Sequence, residues 1–184
     1  MTEPFRVLVA DPPWQMRDNL PGKTRGASRN YPTLSLAELV EFPRPPLAYD
    51  CVLFLWRLSS MPAEALAVVH AWGLTPKTEL VWRKQTTKGN RHFGMGRILR
   101  AEHETCIVAT RGRPQVKIKN VRSTFEAPVG AHSEKPAAFF EIVESLYDGP
   151  YAEMFSRRSR QGWTAFGNEV DLPHGTALAA TVWV

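Results

Sequence analysis

FRVLVADPPW, residues 5–14, is an apolar run cut off by an acid, two prolines and the first tryptophan of the chain. Arg6–Ala10 reads as a strand, and it must stop at Asp11, because neither Pro12 nor Pro13 has a backbone N–H to give to a ladder. The prolines also set their own φ and restrict the residue ahead of each, so the carbonyls of Asp11 and Pro12 point in fixed directions. A rigid turn with Trp14 in the core accounts for all four residues. The same four also place a carboxylate beside a fixed carbonyl, two acceptors suited to the two hydrogens of an exocyclic amine. The adjoining aromatic offers a face to a flat base.

Outward from this stretch, further strand-like runs are Cys51–Trp56, Thr78–Arg83, Thr105–Thr110 and Ala152–Ser156. Most are continuous apolar stretches rather than alternating ones, which suits strands covered on both faces. Helical segments lie between them. Ser35 precedes LAELVEF with Glu38 three residues on, a capping-box pattern. MPAEALAVVHAWG (61–73) has Pro62 in its first turn, Gly73 at its end, and Ala65, Val68, Val69 and Trp72 on one face. EKPAAFFEIVESLYDG (134–149) repeats that logic with Pro136 and Gly149. Alternating strands and helices predict an α/β three-layer fold with a mostly parallel sheet, whose ligands bind beyond the carboxyl ends of the strands. Asp11–Trp14 lies at such an end. No repeat or linker divides the 184 residues, so a single domain is expected, and the prolines at 43, 45 and 46 read as a stiff connection.

The 23 lysines and arginines against 18 acids give a net charge of +5. Distribution says more than the total. From Arg83 to Arg100 there are six basic residues (Arg83, Lys84, Lys88, Arg91, Arg97, Arg100) and no acid. From Gln15 to Asn30 there are four (Arg17, Lys23, Arg25, Arg29) against Asp18 alone. Solvated loops would look like this, and so would phosphate-binding loops. Cys51 and Cys106 sit inside apolar runs without metal spacing, as buried thiols of a reducing compartment do. No apolar stretch nears the roughly 20 residues that span a bilayer, and MTEPFR has no signal-peptide core. A cytoplasmic protein with no membrane partner and no metal is expected.

VLVADPPW resembles motif IV of amino-directed, S-adenosylmethionine-dependent methyltransferases. It is similar above all to the DPPW-type N6-adenine methyltransferases, which include the catalytic subunit of the eukaryotic mRNA adenosine methylase and many bacterial and phage DNA methylases. The likeness runs in order from about Phe5 to Val170, leaving residues 171–184 as a tail. It takes in NYPTLSLAEL (30–39), AWGLTPKTELVWRK (71–84), GMGRILRAEHETCIVATRGRP (94–114), SEKPAAFFEIVESL (133–146) and EMFSRRSRQGWTAFGNEV (153–170). The resemblance implies a Rossmann-like methyltransferase domain in which motif IV precedes the cofactor segments, a permuted order.

Residue by residue, the resemblance implies that Asp11 and Pro12 bind the target adenine amine, with Pro13 holding the turn. Trp14 and Tyr31 would stack on or wall the base. S-adenosylmethionine would lie across Asp11, Ser133, Lys135, Phe155, Arg157, Asn168 and Glu169. Taken alone, Lys135 is equally an exposed lysine near a helix start, Asn168 with Gly167 a turn, and Phe155 a core residue. His103 and Glu104 read as structural or interface groups. The chain departs from its relatives at Glu134, where His is frequent, at Ser159 and Arg160, where His-Asn is common, and at Glu169, a frequent Gln.

Both basic segments should flank the pocket, so Arg25, Arg29, Lys84, Lys88 and Arg91 become candidate nucleic-acid contacts. With no separate recognition domain or RNA-binding module in the sequence, DNA adenine is the favoured substrate and RNA the alternative. Relatives dimerise through the loop around Gly94–Arg100, and a homodimer is expected here. Two other readings stand beside these: an inactive basic nucleic-acid-binding module, and methylation of a protein or small-molecule amide. Absence of methyl-donor affinity would identify the first.

Overall fold

The computed structural model describes residues 3–15, 33–94, 98–130 and 134–167. Within them one seven-stranded sheet carries every strand, in the order β5-β3-β4-β2-β1-β6-β7. The strands are β1 (Phe5–Ala10), β2 (Leu47–Arg57), β3 (Thr75–Gln85), β4 (His103–Arg111), β5 (Thr124–Pro128), β6 (Tyr151–Met154) and β7 (Trp163–Phe166). Three helices accompany them: α1 (Leu36–Glu41), α2 (Pro62–Ala71) and α3 (Ala137–Leu146).

The sheet is mostly parallel, as expected, and mixed by one reversed strand. β1 pairs in parallel with β2 and β6, β3 with β5, and β6 with β7, but β4 runs against both β2 and β3. The cause lies in the connection, since β3 and β4 are joined by a loop without a crossover helix, and a parallel pair needs a crossover. The reversal puts the end of β3 and the start of β4 at the edge where β1 ends.

Two apolar layers cover the sheet. Leu8, Ala10, Leu53 and Leu55 face one way with α1 and α2, whose Leu39, Ala65, Val68, Val69 and Trp72 are buried there. Val7, Val9, Val52, Phe54 and Trp56 face the other way onto Phe139, Phe140 and Val143 of α3. Consecutive residues alternate between the layers because the pleat has a period of two. Each large side chain fully buried in this way contributes about 1.5–3 kcal/mol.

Local signals are obeyed at most ends. Ser35 caps α1, with its side chain taking the Glu38 N–H and Glu38 reaching back to the Ser35 N–H at 2.7 Å. α2 starts on Pro62, and Gly73 leaves it at φ +75°. Several expected boundaries move: β2, β3 and β4 extend beyond Cys51–Trp56, Thr78–Arg83 and Thr105–Thr110 at both ends. The run Ala152–Ser156 stops being strand at Met154, because Phe155 turns to φ +60°. α3 begins only at Ala137, with Pro136 outside it as the N-cap residue. β5 and β7 were not foreseen. Both are short, β5 ends on a proline, and its partner β3 lies some forty residues earlier in the chain. Cys51 and Cys106 are buried free thiols, as their apolar neighbours indicate. None of the described helices is long and apolar enough to cross a membrane.

Candidate active site

β1, β2, β4 and β6 converge where β1 ends, and alternation decides which side chains meet there. Val9 faces the α3 layer, so Asp11, two residues on, leaves the strand on that side. Glu153 of β6 is paired with Val9 and points the same way. Cys106 lies in the same layer, which puts Glu104 there too. Lys135, just ahead of α3, completes the group.

Lys135 is the hub. Its Nζ lies 2.5 Å from Asp11 Oδ2 and 3.3 Å from Glu104 Oε2, and 5.1 Å above the Trp56 ring. Only 8% of its side chain is exposed, which excludes the reading of an exposed lysine. Burial by itself would push its ammonium down, but Asp11 and Glu104 hold it above the ordinary lysine value. Glu104 also takes Lys84 at 2.6 Å. Burial raises its carboxyl while Lys135 and Lys84 pull it down, and the two cations prevail. Lys84–Glu104–Lys135–Asp11 is thus one alternating chain of charge. Glu104, expected to be a structural or interface group, belongs to the site. His-Glu beside a strand start carries no motif that distinguishes the two roles, and only the reversed direction of β4 brings it here.

Sequence reasoning also missed Glu153. Its carboxyl is pushed up to about 7, chiefly by burial and further by the nearby Asp11, against the pull of Ser156, Arg160 and Lys135. The signal was its position two residues before Phe155, in a strand expected to end at the ligand edge.

The DPPW turn is pinned on three sides. The Trp14 N–H donates to the Pro12 carbonyl at 2.9 Å, and the Leu34 N–H donates to the Pro13 carbonyl at 2.8 Å. The Trp14 indole N–H donates to the Trp56 carbonyl at 3.0 Å. Trp14 is 5% exposed, in the layer of α1 and α2. The buried ring braces the turn against β2 through that indole N–H. Asp11, by contrast, is 39% exposed at its side chain.

Phe155 packs partly buried on the same layer, its ring 4.8 Å from Phe42. Its left-handed backbone is costly for a non-glycine residue and turns the chain sharply beside Glu153. Ser156 follows, buried, with the Phe166 carbonyl accepting its N–H at 3.1 Å. Gly167 lies so close that a Cβ there would meet the Ser156 carbonyl oxygen at 1.9 Å. Arg157, next along, is exposed. The structure therefore brings Asp11, Pro12, Pro13, Lys135 and Phe155 to one strand edge. Arg25, Arg29, Tyr31, Ser133, Asn168 and Glu169 lie outside the described residues.

Lys84 joins the site through Glu104, whereas Lys88 and Arg91 stand on a neighbouring exposed turn. There the Thr86 N–H donates to the Asn90 carbonyl at 2.7 Å, and Arg91 bridges back to Gln85. A cleft of about 250 Å³ opens beside them, lined by Arg83, Lys84, Gln85, Gly89, Arg91, Glu102 and Glu126. Arg83 is paired with Glu126 there at 2.8 Å.

A model of the MT-A70 family matches residues 5–169. The chain is 29% identical to the Type II methyltransferase M.MunI of a Mycoplasma species, over 90% of this chain and 78% of that protein. It is 29% identical to the human N(6)-adenine-specific methyltransferase METTL4, over 90% of this chain and 37% of that protein. With the human N(6)-adenosine-methyltransferase catalytic subunit METTL3 it shares 30% identity, over 92% of this chain and 29% of that one.

Proposed function

The chain belongs to the MT-A70 family, and we propose that it transfers a methyl group from S-adenosylmethionine to the N6 amino group of adenine in DNA. The observation that carries this reading is the Asp11–Lys135–Glu104 constellation at the end of β1, beside the pinned Pro12 carbonyl. The choice of DNA is supported by the 78% of M.MunI that the chain spans, against 37% and 29% of the two human proteins.

The donor set suits the cofactor. An ammonium has three N–H groups. Among the described residues Lys135 directs two at Asp11 and Glu104, which leaves one for an anion such as the carboxylate of an amino-acid moiety. Glu153 and Asp11 offer oxygen atoms to an ammonium, and Phe155 an apolar edge. Ser133, Arg157, Asn168 and Glu169 are assigned to the same ligand on family resemblance. When bound, S-adenosylmethionine supplies a methyl group on a sulfonium, already a strong electrophile.

What remains for the chain is to make the adenine amine nucleophilic. Its lone pair is delocalised into the ring. Asp11 keeps one carboxylate oxygen free of Lys135, and the Pro12 carbonyl keeps a lone pair beyond the one engaged by Trp14. Together they accept both amine hydrogens and favour a tetrahedral nitrogen with a free lone pair, which stabilises the charge distribution of the transition state. Trp14 holds this pair of acceptors still, and alignment with the methyl group supplies much of the rest. We read residues 5–170 as one catalytic domain of permuted motif order, with Lys84, Lys88 and Arg91 as phosphate contacts.

The test is incubation of the purified protein with methyl-labelled S-adenosylmethionine and unmethylated DNA or RNA. Label should appear as N6-methyladenine in DNA and fall about 100-fold or more in Asp11→Ala. Label in RNA alone would move the substrate to adenosine in RNA. Label that persists in Asp11→Ala would refute the role of Asp11.

A further inference from the structure

Arg160 stands on the connection between β6 and β7, at one of the positions where the chain departs from its relatives. Its neighbours Arg157, Arg158 and Ser159 are exposed, but Arg160 is half-buried. Two contacts fix it. Its guanidinium carbon lies 3.9 Å from the centre of the Phe140 ring of α3, and its carbonyl accepts the Trp163 N–H at 3.1 Å. Phe140 is itself held edge-on by Phe139 and Trp163, at 5.1 and 5.3 Å between ring centres. Arginine stacks on aromatic faces, so this contact sets where the charge sits. Glu153 lies on the same side of the sheet. It pairs with Val9 of β1 and Ala165 of β7, and Val9 belongs to the Phe140 layer. Among the described residues three charges act on Glu153: Arg160 most strongly, in favour of the carboxylate, then Asp11 against it and Lys135 for it. Lys135 divides its charge between Asp11 and Glu104, whereas no other acid among the described residues pairs with Arg160. The Ser156 hydroxyl also favours the carboxylate, but it has one proton and donates at 2.7 Å to the Arg158 carbonyl.

We propose that Arg160 is a positioning residue for the methyl donor: fixed over Phe140, its guanidinium secures Glu153 as the acceptor of the donor's ammonium. The inference rests on the S-adenosylmethionine reading given above. A carboxylate holds an ammonium by charge and by accepting its hydrogens, whereas a protonated carboxyl offers no charge. Burial above all, with Asp11, pushes the Glu153 carboxyl up to about 7, against Ser156, Arg160 and Lys135. A proton and the donor's ammonium therefore compete for Glu153 near neutral pH. Donor affinity must fall as pH drops through 7, with a proton released on binding. Loss of the Arg160 charge favours the proton and starts that fall at higher pH. Its effect is largest where Glu153 is protonated in the free protein and vanishes where Glu153 is already ionised.

The test is titration calorimetry of S-adenosylmethionine against wild type, Arg160→Gln and Arg160→Lys. Comparing proteins at one pH cancels the titration of the donor's own α-amino group, whose ordinary value is about 8. Arg160→Gln should bind about three- to tenfold more weakly than wild type near a pH of about 6, and within about twofold near about 8.5. Arg160→Lys, which keeps the charge, should recover most of the loss. Repeating the titration near a pH of about 7 in two buffers of different ionisation enthalpy counts protons. Wild type should release about half a proton on binding, and Arg160→Gln more. Equal weakening at both pH values marks a structural residue or a direct donor contact and overturns the inference. Unchanged affinity at both, or no proton release by wild type, overturns it as well. A wild type that binds no donor at any pH removes the S-adenosylmethionine reading too, whereas donor binding indifferent to Arg160 removes this inference alone.

Discussion

Glu153 has the least ordinary chemistry among the carboxylates of the site, since burial and Asp11 hold a proton on it to about pH 7 against an ordinary value of 4.5. The sign for stability follows from linkage. A carboxyl whose folded value is raised contributes stability that is complete below pH 4.5 and is lost as pH rises through 7. Glu153→Gln should therefore match wild type near pH 4.5 and melt above it at pH 8, by about 2–4 °C for each kcal/mol recovered. Thermal melts at the two pH values check this, and a difference that grows on acidification would contradict it. Lys135 was legible only in part. The Lys-Pro pair ahead of a helix was visible, but its burial between Asp11 and Glu104 depends on a strand over a hundred residues upstream.

The turns and strand ends carry the second layer of information. The Ser35–Glu38 capping box was readable because both partners lie within four residues. So was the end of β1, because a proline cannot be paired. β5 and β7 were not readable, since each is stabilised by partners elsewhere: β5 beside β3, and β7 beside β6. Gly167 shows the same dependence. Nothing local demands glycine there, yet a Cβ would strike the Ser156 carbonyl oxygen at 1.9 Å. Gly167→Ala must push the ends of β6 and β7 apart, at a cost of about 1–3 kcal/mol. A lower urea midpoint with an unchanged slope is the expected result, and donor affinity should fall with it, because Phe155 and Ser156 are displaced.

At the scale of the molecule, the basic turn at Lys88 and Arg91 and the charged chain through Lys84 share one edge of the sheet with Asp11. If that edge receives a phosphate backbone, affinity for DNA must fall with salt, by about 0.9 in logarithmic slope for each phosphate neutralised. Lys88→Ala/Arg91→Ala should flatten the slope by up to about two units without changing base preference. An unchanged slope would place the DNA elsewhere. The sequence by itself determined where β1 stops, that two rigid acceptors follow it, which faces of α2 and α3 are apolar, and which family the motifs resemble. These rest on proline geometry, side-chain period and short-range order. The tertiary structure alone decided that β4 is reversed, that Glu104 and Glu153 join Asp11 and Lys135, and that the Trp14 indole is buried against the Trp56 carbonyl. Those facts depend on pairing between segments far apart in the chain, and no local pattern encodes which strands become neighbours or in which direction they run.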